Sequence, residues 1–277
     1  MKIIQTVAEM RAFRAALSNV ALVPTMGNLH DGHLSLVKTA KDNAQHVIVS
    51  IFVNPIQFGP NEDLASYPRT LSEDCEKLKA LGVDAVFAPN AEEMYPKGIQ
   101  SVRVVPSKVQ NELCGASREG HFNGVATVVT KLFNIVQPNI ACFGEKDFQQ
   151  LHIIREMVDE LNMPIRIIPV AIEREASGLA LSSRNGYLSD AEKEKAIELS
   201  QCLSNMRTMI IQDGNSVNLR EIESLAIQAL NDQGWHVDYI SVRDQHSLMI
   251  AEHNNGRLII LGAAKIGQTR LLDNLKI

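Results

Sequence analysis

The run "VALVPT" at residues 20–25, continued by "MGNLHDGH" at 26–33, carries the strongest structural signal in the chain. Its first half is apolar almost without interruption. A strand buried on both faces of a parallel sheet reads this way, whereas a half-exposed strand alternates. The chain then turns at Gly27 and resumes as "LSLVKTA", so residues 26–33 form the loop after a strand and the beginning of a helix. Helix N-termini carry unpaired amides and a partial positive charge, and they attract phosphate. His30 and His33 would project from one face of that first turn, and Gly27 and Gly32 let main chain and ligand approach closely. The arrangement suits the phosphates of a nucleotide. A structural or incidental pair of histidines is the other reading that the string leaves open.

The same texture recurs on either side. "HVIVSIFV" (46–53), "VDAVFAP" (83–89), "NIACFG" (139–144) and "IRIIPV" (165–170) are nearly continuous apolar runs, and helix-like segments lie between them. "TLSEDCEKLKALG" (70–82) opens with Thr70 and Glu73 at capping-box spacing and stops at Gly82; "KDFQQLHIIREMVDELN" (146–162) repeats apolar residues at helical intervals. Alternating strands and helices predict a doubly wound α/β domain over 1–176, with ligands at the carboxyl ends of its strands. Beyond it the pattern changes. "LSDAEKEKAIELSQCLSNMRTMI" (188–210) begins with a second capping box, Ser189 to Glu192, and "SVNLREIESLAIQALND" (216–232) is a further helix. "WHVDYISVRD", "RLIILGAAKIG" and "TRLLDNLKI" then read as consecutive antiparallel strands, so residues 177–277 form a smaller α+β domain.

With 277 residues, 45 % of them hydrophobic, the chain can bury a substantial core. A net charge of -5 gives no broad basic surface, which argues against nucleic acid as a partner. The N-terminal segment is interrupted by Lys2, Glu9, Arg11 and Arg14, and no later stretch reaches the length of a membrane span, so a cytoplasmic protein is expected. The four cysteines, Cys75, Cys114, Cys142 and Cys202, form no C-x-x-C pair and read as reduced, mostly buried thiols.

Four further stretches carry chemistry. In "FVNPIQFGPNEDLASYPRT" (52–70), Asn54 and Gln57 follow the second buried strand, where amides orient small polar substrates; they serve equally well as turn residues around Pro55 and Gly59. In "FGEKDFQQL" (143–151), Gly144 marks a turn, Asp147 is a natural N-cap, and Gln149 and Gln150 follow in the first turn. Lys146 there meets the positive end of the helix dipole, a conflict that a bound anion relieves; a solvated lysine is the alternative. "GLALSSRN" (178–185) joins the hydroxyls of Ser182 and Ser183 to Arg184, a set that can grip phosphate or merely begin a helix. In "REGHFNGVATVVTKLFNIV" (118–136), Val125, Val128, Val129 and Leu132 form an apolar stripe, either plain core or the wall of a pocket for a branched aliphatic group.

Taken in order, "PTMGNLHDGH", "FVNPIQFGPNEDLASYPRT", "GHFNGVATVVTKLFNIVQPNIACFGEKDFQQL" and "GLALSSRNGYLS" strongly resemble the motifs of the pantothenate synthetase family, over essentially the whole chain. The resemblance implies a Rossmann-like domain of the H-x-G-H nucleotidyltransferase type and an ATP-dependent ligase that joins pantoate to β-alanine through pantoyl adenylate. It implies that Met26, Gly27, Asn28, Leu29, His30, Asp31, Gly32 and His33 surround ATP. Gly144, Glu145, Lys146, Asp147, Glu173, Leu181, Ser182, Ser183 and Arg184 would join them. Gln57, Gln150 and Asn54 would hold the smaller substrates, with Val128, Val129 and Leu132 around the dimethyl end of pantoate. Magnesium is expected on the triphosphate. Glu73 and Asp74 would support it, unless they are simply an acidic first turn favoured by the helix dipole. A homodimer is implied as well. Asn28 and Asp31 stand where the family is expected to carry Ala and Glu, and Glu173 where an apolar residue meets adenine.

The chemistry agrees. In-line attack on phosphorus gathers negative charge on its oxygens, so the reaction needs positioned donors; His30, His33, Lys146 and Arg184 are the candidates. A carboxylate is already ionised at neutral pH and needs no general base. The histidines therefore read as electrostatic clamps. Two rivals remain at this level: a nucleotidyltransferase acting on a phosphorylated small molecule, and a nucleotide-binding regulator without turnover.

Overall fold

The computed structural model describes residues 1–60, 62–98, 101–214 and 218–277. Asn61 in the motif at 52–70, and Ser216 and Val217 at the head of the expected helix 216–232, lie outside the described residues. The chain divides into two compact units: Met1–Glu145 with Ile153–Ala171, and Lys146–His152 with Ile172–Ile277.

In the first unit the apolar runs become strands of one parallel sheet. They are β1 (Lys2–Ile4), β2 (Val20–Thr25), β3 (His46–Ile51), β4 (Ala85–Phe87), β5 (Ile140–Gly144) and β6 (Arg166–Val170), in the order β1-β4-β3-β2-β5-β6. The helices that accompany this sheet are α1 (Val7–Ala15), α2 (Asp31–Asn43), α3 (Leu71–Ala80), α4 (Ala91–Met94), α5 (Cys114–Ser117), α6 (His121–Val136) and α7 (Phe148–Glu160). Leu36, Val37 and Ala40 of α2 and Leu78 of α3 pack with Ala21, Val23, Val47 and Val49 in one apolar cluster. The intervening Leu22 and Ile48 are equally buried, so both faces of the sheet are covered. That double burial is why these strands do not alternate in sequence.

The winding reverses beside β2. The chain passes from β2 to β3 on one side, whereas β5 pairs with the other side of β2 through Ala21–Ile140 and Leu22–Ala141. Loops leaving the carboxyl ends of β2 and β5 therefore diverge around a crevice, the usual ligand position in such sheets. The expected doubly wound α/β architecture is present. The unexpected strand is β1, three residues at the sheet edge, too short to register as a pattern.

The second unit carries the expected antiparallel sheet, β7 (His236–Asp244), β8 (Leu258–Ile266) and β9 (Thr269–Lys276), with β8 in the middle. The helices α8 (Asp190–Asp213) and α9 (Leu219–Asp232) close its core around Leu199, Leu203, Leu230, Trp235 and Ile260. Gly262 lets the helices pack close to the sheet: a Cβ there would meet Ile240 Cδ1 at 2.9 Å and Leu199 and Leu203 at 3.3 Å.

Of the two expected capping boxes, Ser189–Glu192 forms, with both reciprocal bonds. The one at Thr70–Glu73 does not; the Thr70 hydroxyl donates instead to Asp74 Oδ2 at 3.1 Å, because that carboxylate is buried and needs donors. Cys75, Cys114 and Cys142 are buried, and Cys202 is partly so. Burial pushes the Cys142 thiol up to about 11. No helix among the described residues is long and apolar enough to cross a membrane.

Helix α6 touches the turn after β3 without an intervening side chain. A Cβ at Gly124 would lie 2.4 Å from the Ile56 carbonyl oxygen and 2.6 Å from Gln57 Cα, and those backbone atoms cannot swing away. Gly124→Ala should therefore cost about 1–3 kcal/mol through overpacking. The readout is a melting temperature lowered by several degrees; an unchanged value would mean that the turn yields freely.

Candidate active site

The loop after β2 is held by a buried charge. Asp74, on the first turn of α3 and 0 % exposed, accepts the Leu29 amide at Oδ1 (2.8 Å) and the Asn28 amide at Oδ2 (2.9 Å). Lys77, about one turn further on, donates to the Leu29 carbonyl at 2.7 Å. Gly27 and Asn28 take positive φ angles of 87° and 52° to bring these amides inward. A Cβ at Gly27 would sit 3.2 Å from Asp74 Oδ2 and 3.1 Å from Ile51, so the position requires glycine. Asparagine tolerates the left-handed region far better than most residues, which gives Asn28 a local reason to stand where the family is expected to carry Ala.

Helix α2 begins on the two histidines. His30 is its N-cap and takes the Gly32 amide on Nδ1 at 3.2 Å; His33, at the third helical position, takes the His30 amide on its own Nδ1 at 3.4 Å. The ring centroids are 4.1 Å apart. Imidazoles thus fill the two roles of a capping box, a use not foreseen from their spacing. Because both Nδ1 atoms accept main-chain protons, each neutral ring carries its own proton on Nε2 and is a donor there. Asp31 lies exposed at the first position of the helix, where its charge complements the dipole.

Behind this loop an amide relay runs from the core. Tyr95 donates its hydroxyl to Asn54 Oδ1 at 2.6 Å, and burial raises the phenol well above its ordinary pKa, so it stays a donor. Asn54, 1 % exposed, then donates from Nδ2 to Gln57 Oε1 (3.0 Å) and to the Gly124 carbonyl (3.2 Å). Gln57 Nε2 in turn meets Met26 Sδ at 3.5 Å, which joins two of the expected site segments. The Gln57 carbonyl contacts His121 Nδ1 at 2.8 Å, and the Arg118 guanidinium meets His121 Nε2 at 2.9 Å while it forks onto Glu62. Arginine can only donate, so neutral His121 carries its proton on Nδ1, the tautomer opposite to that of His30 and His33. Val128, Val129 and Leu132 on α6 are buried.

The strand β5 ends at Gly144 beside β2 and passes through a 3-10 turn, Glu145–Asp147, into α7. Lys146 lies in that turn rather than in the helix, Asp147 is exposed, and Gln149 is buried while Gln150 is half-buried. Within the second unit, Lys146, Ser182 and Asn185 line a common cleft with Leu179 and Asp273. Ser182 caps the 3-10 helix Ser183–Tyr187 by accepting the Arg184 amide at 3.2 Å. Leu181 donates to the Glu173 carbonyl at 2.9 Å, and the Glu173 side chain is exposed.

Sequence reasoning passed over Tyr95, Arg118 and His121. Tyr95 lies outside every stretch singled out above, and Arg118 and His121, though within 118–136, are revealed only by their partners Glu62 and the Gln57 carbonyl. Glu73 is exposed on α3, unlike the buried Asp74 next to it. Among the described residues no group of three or more His, Cys, Asp or Glu could hold a metal ion.

A doubly wound parallel sheet with a histidine-capped helix at its switch point defines a nucleotide-binding α/β protein. The sequence pattern of the family described as "Pantoate-beta-alanine ligase" matches residues 2–276. The pantothenate synthetase of Laribacter hongkongensis is 55 % identical over 277 residues, which is 100 % of this chain and 99 % of that protein. That of Chromobacterium violaceum is 54 % identical with the same coverage. Among solved structures, pantothenate synthetase from Thermus thermophilus superposes with a TM-score of 0.92 at 43 % identity, covering 100 % of this chain and 99 % of that one. Pantoate-beta-alanine ligase from Francisella tularensis, complexed with beta-gamma ATP and beta-alanine, gives 0.81 at 37 % identity, covering 100 % and 97 %. The chain belongs to the pantoate–β-alanine ligase family. The nucleotidyltransferase and regulator readings are thereby set aside.

The Asp74 clamp has a measurable consequence. Asp74→Asn turns one acceptor into a donor facing a loop amide, and should lower stability by about 2–4 kcal/mol, the scale of a lost charged bond plus a stranded polar group. Hydrogen exchange at the Asn28 and Leu29 amides should accelerate with it; unchanged protection there would show that the loop is held by other contacts.

Proposed function

We propose that the chain condenses pantoate with β-alanine in two steps driven by ATP. A pantoate carboxylate oxygen attacks the α-phosphorus, forming pantoyl adenylate as pyrophosphate leaves. The β-alanine amine then attacks the acyl carbon, the amide bond forms and AMP departs. The observation that carries this reading is the pair of histidine-capped amides at the switch point of a chain in this family.

Each segment takes a role in this scheme. Residues 26–33, Gly144–Asp147, Glu173 and Leu181–Arg184 hold ATP, with Nε2 protons of His30 and His33, the Lys146 ammonium and the Arg184 guanidinium directed at the charge that grows on the phosphates. Gln57 and Gln150 hold the carboxylate and hydroxyl groups of the smaller substrates; Asn54, expected among them, is buried with its amide committed to Gln57, Gly124 and Tyr95 and instead orients Gln57 from behind, while Val128, Val129 and Leu132 take the dimethyl end of pantoate. Residues 1–176 are the ATP- and pantoate-binding domain and 177–277 a lid that excludes water from the adenylate. Magnesium would neutralise triphosphate charge when bound, carried into the site on ATP, and exposed Glu73 is the side chain that would support it. Asp74 spends both oxygens on the loop. A cytoplasmic homodimer is the form we propose for the enzyme.

The direct test is isotope exchange between pyrophosphate and ATP. Exchange should require pantoate and proceed without β-alanine, and adding β-alanine should release one AMP per amide formed; exchange that ignores pantoate would refute the scheme. His33→Ala should slow adenylation by about 10²- to 10³-fold, the scale of one deleted transition-state donor. A loss below about threefold would leave His33 with its helix-capping role alone.

A further inference from the structure

Two residues of β9, outside every motif named above, hold the second unit's share of the proposed nucleotide site. Asp273 and Asn274 are 5 % and 3 % exposed. Asp273 forks onto Arg174, with Oδ2 to Nη1 at 2.7 Å and Oδ1 to Nη2 at 2.8 Å. The same guanidinium donates to the Gly178 carbonyl at 3.0 Å and the Asn274 carbonyl at 3.3 Å. Arg174 also bridges Ala180 across a tight hairpin, closed by bonds from Glu175 to Leu179 and from Leu181 to Glu173. That hairpin runs straight into Ser182–Arg184, and Asn185 ties the two together by donating to the Ala180 carbonyl at 3.0 Å. The neighbouring Asn274 side chain reaches elsewhere: its Nδ2 donates to the Lys146 carbonyl at 2.9 Å.

One dipeptide therefore fixes the main chain at Lys146 and the hairpin that delivers Ser182–Arg184. Neither residue carries a side chain that the chemistry itself requires, yet a carboxylate and an amide are buried here with matched partners. Phosphate contacts work only over a few tenths of an ångström, and a misplacement of about 1 Å can cost about 10²-fold in rate. From this geometry we infer that Asp273 and Asn274 are positioning residues for the adenylation step, setting Lys146 relative to Ser182–Arg184. The inference rests on the proposed role of those segments in holding ATP.

The test separates the half-reactions in Asn274→Ala, which removes the bond to Lys146, and in Asp273→Asn, which keeps the shape but weakens the fork. Melting temperature is recorded alongside. In whichever variant folds, Kd for a non-hydrolysable ATP analogue and KM for ATP should rise roughly tenfold, and pantoate-dependent exchange should slow by at least as much. KM for pantoate, and the reaction of supplied pantoyl adenylate with β-alanine, should stay within about twofold. Wild-type-like ATP binding and exchange in a folded variant would overturn the inference. So would an equal loss in both half-reactions with a lowered melting temperature, which is the mark of a merely structural role. Failure of the wild-type enzyme to exchange with pantoate would instead strike the proposed function, and the inference would fall with it.

Discussion

A single buried carboxylate organises the first unit's ligand-facing end. Asp74 has no exposed surface, and burying a charge without partners is among the most unfavourable things a fold can do. Its oxygens are satisfied by the amides of Asn28 and Leu29 and by the Thr70 hydroxyl. Those bonds oblige the loop after β2 to fold inward, and the inward path in turn demands glycine at residue 27. From there the chain reaches His30 in the extended conformation that an N-cap requires. Helix α2, its two imidazoles and the parallel sheet below are thus linked through one side chain on a different helix.

The histidines show how one ring can cap a helix through Nδ1 and leave Nε2 for the donor role proposed for it. Nδ1 of each ring is committed to the main chain, which fixes both the tautomer and the ring position before any ligand arrives. Fixed donors need little reorganisation as charge develops, the condition under which electrostatic stabilisation is largest. The relay from Tyr95 through Asn54 to Gln57 follows the same logic with amides, whose two ends are told apart by what each must donate or accept.

Much of this was legible in the sequence. The continuous apolar runs around Val20–Val23 and Val47–Val49 announced a sheet covered on both faces, and the strand-like runs of 235–277 announced the antiparallel one. The loop at 26–33 stood out because two glycines and a pair of histidines follow a buried strand, and the lysine at 146 because positive charge opposes the dipole at a helix beginning. What escaped was anything defined by distant partners. Thr70 and Glu73 had the spacing of a capping box, but a local pattern cannot register the competing claim of a buried Asp74. Tyr95, His121, Arg174 and Asn274 look ordinary among their neighbours, and their roles exist only across separations such as the 128 residues between Asn274 and Lys146. The strand β1 was missed for a simpler reason: three residues are too few to show a period.

The long reach of β9 bears on how the protein comes into being. A ribosome releases Lys146 and Arg174 well before it makes the strand that fastens them, 128 and 99 positions later. While synthesis continues, the growing polypeptide can complete its parallel sheet and nucleate its amino-terminal half in the usual vectorial order. The bonds that fasten Lys146 and the turn leading to Ser182 must wait for the final hairpin, so this part of the fold is set only when translation has almost finished.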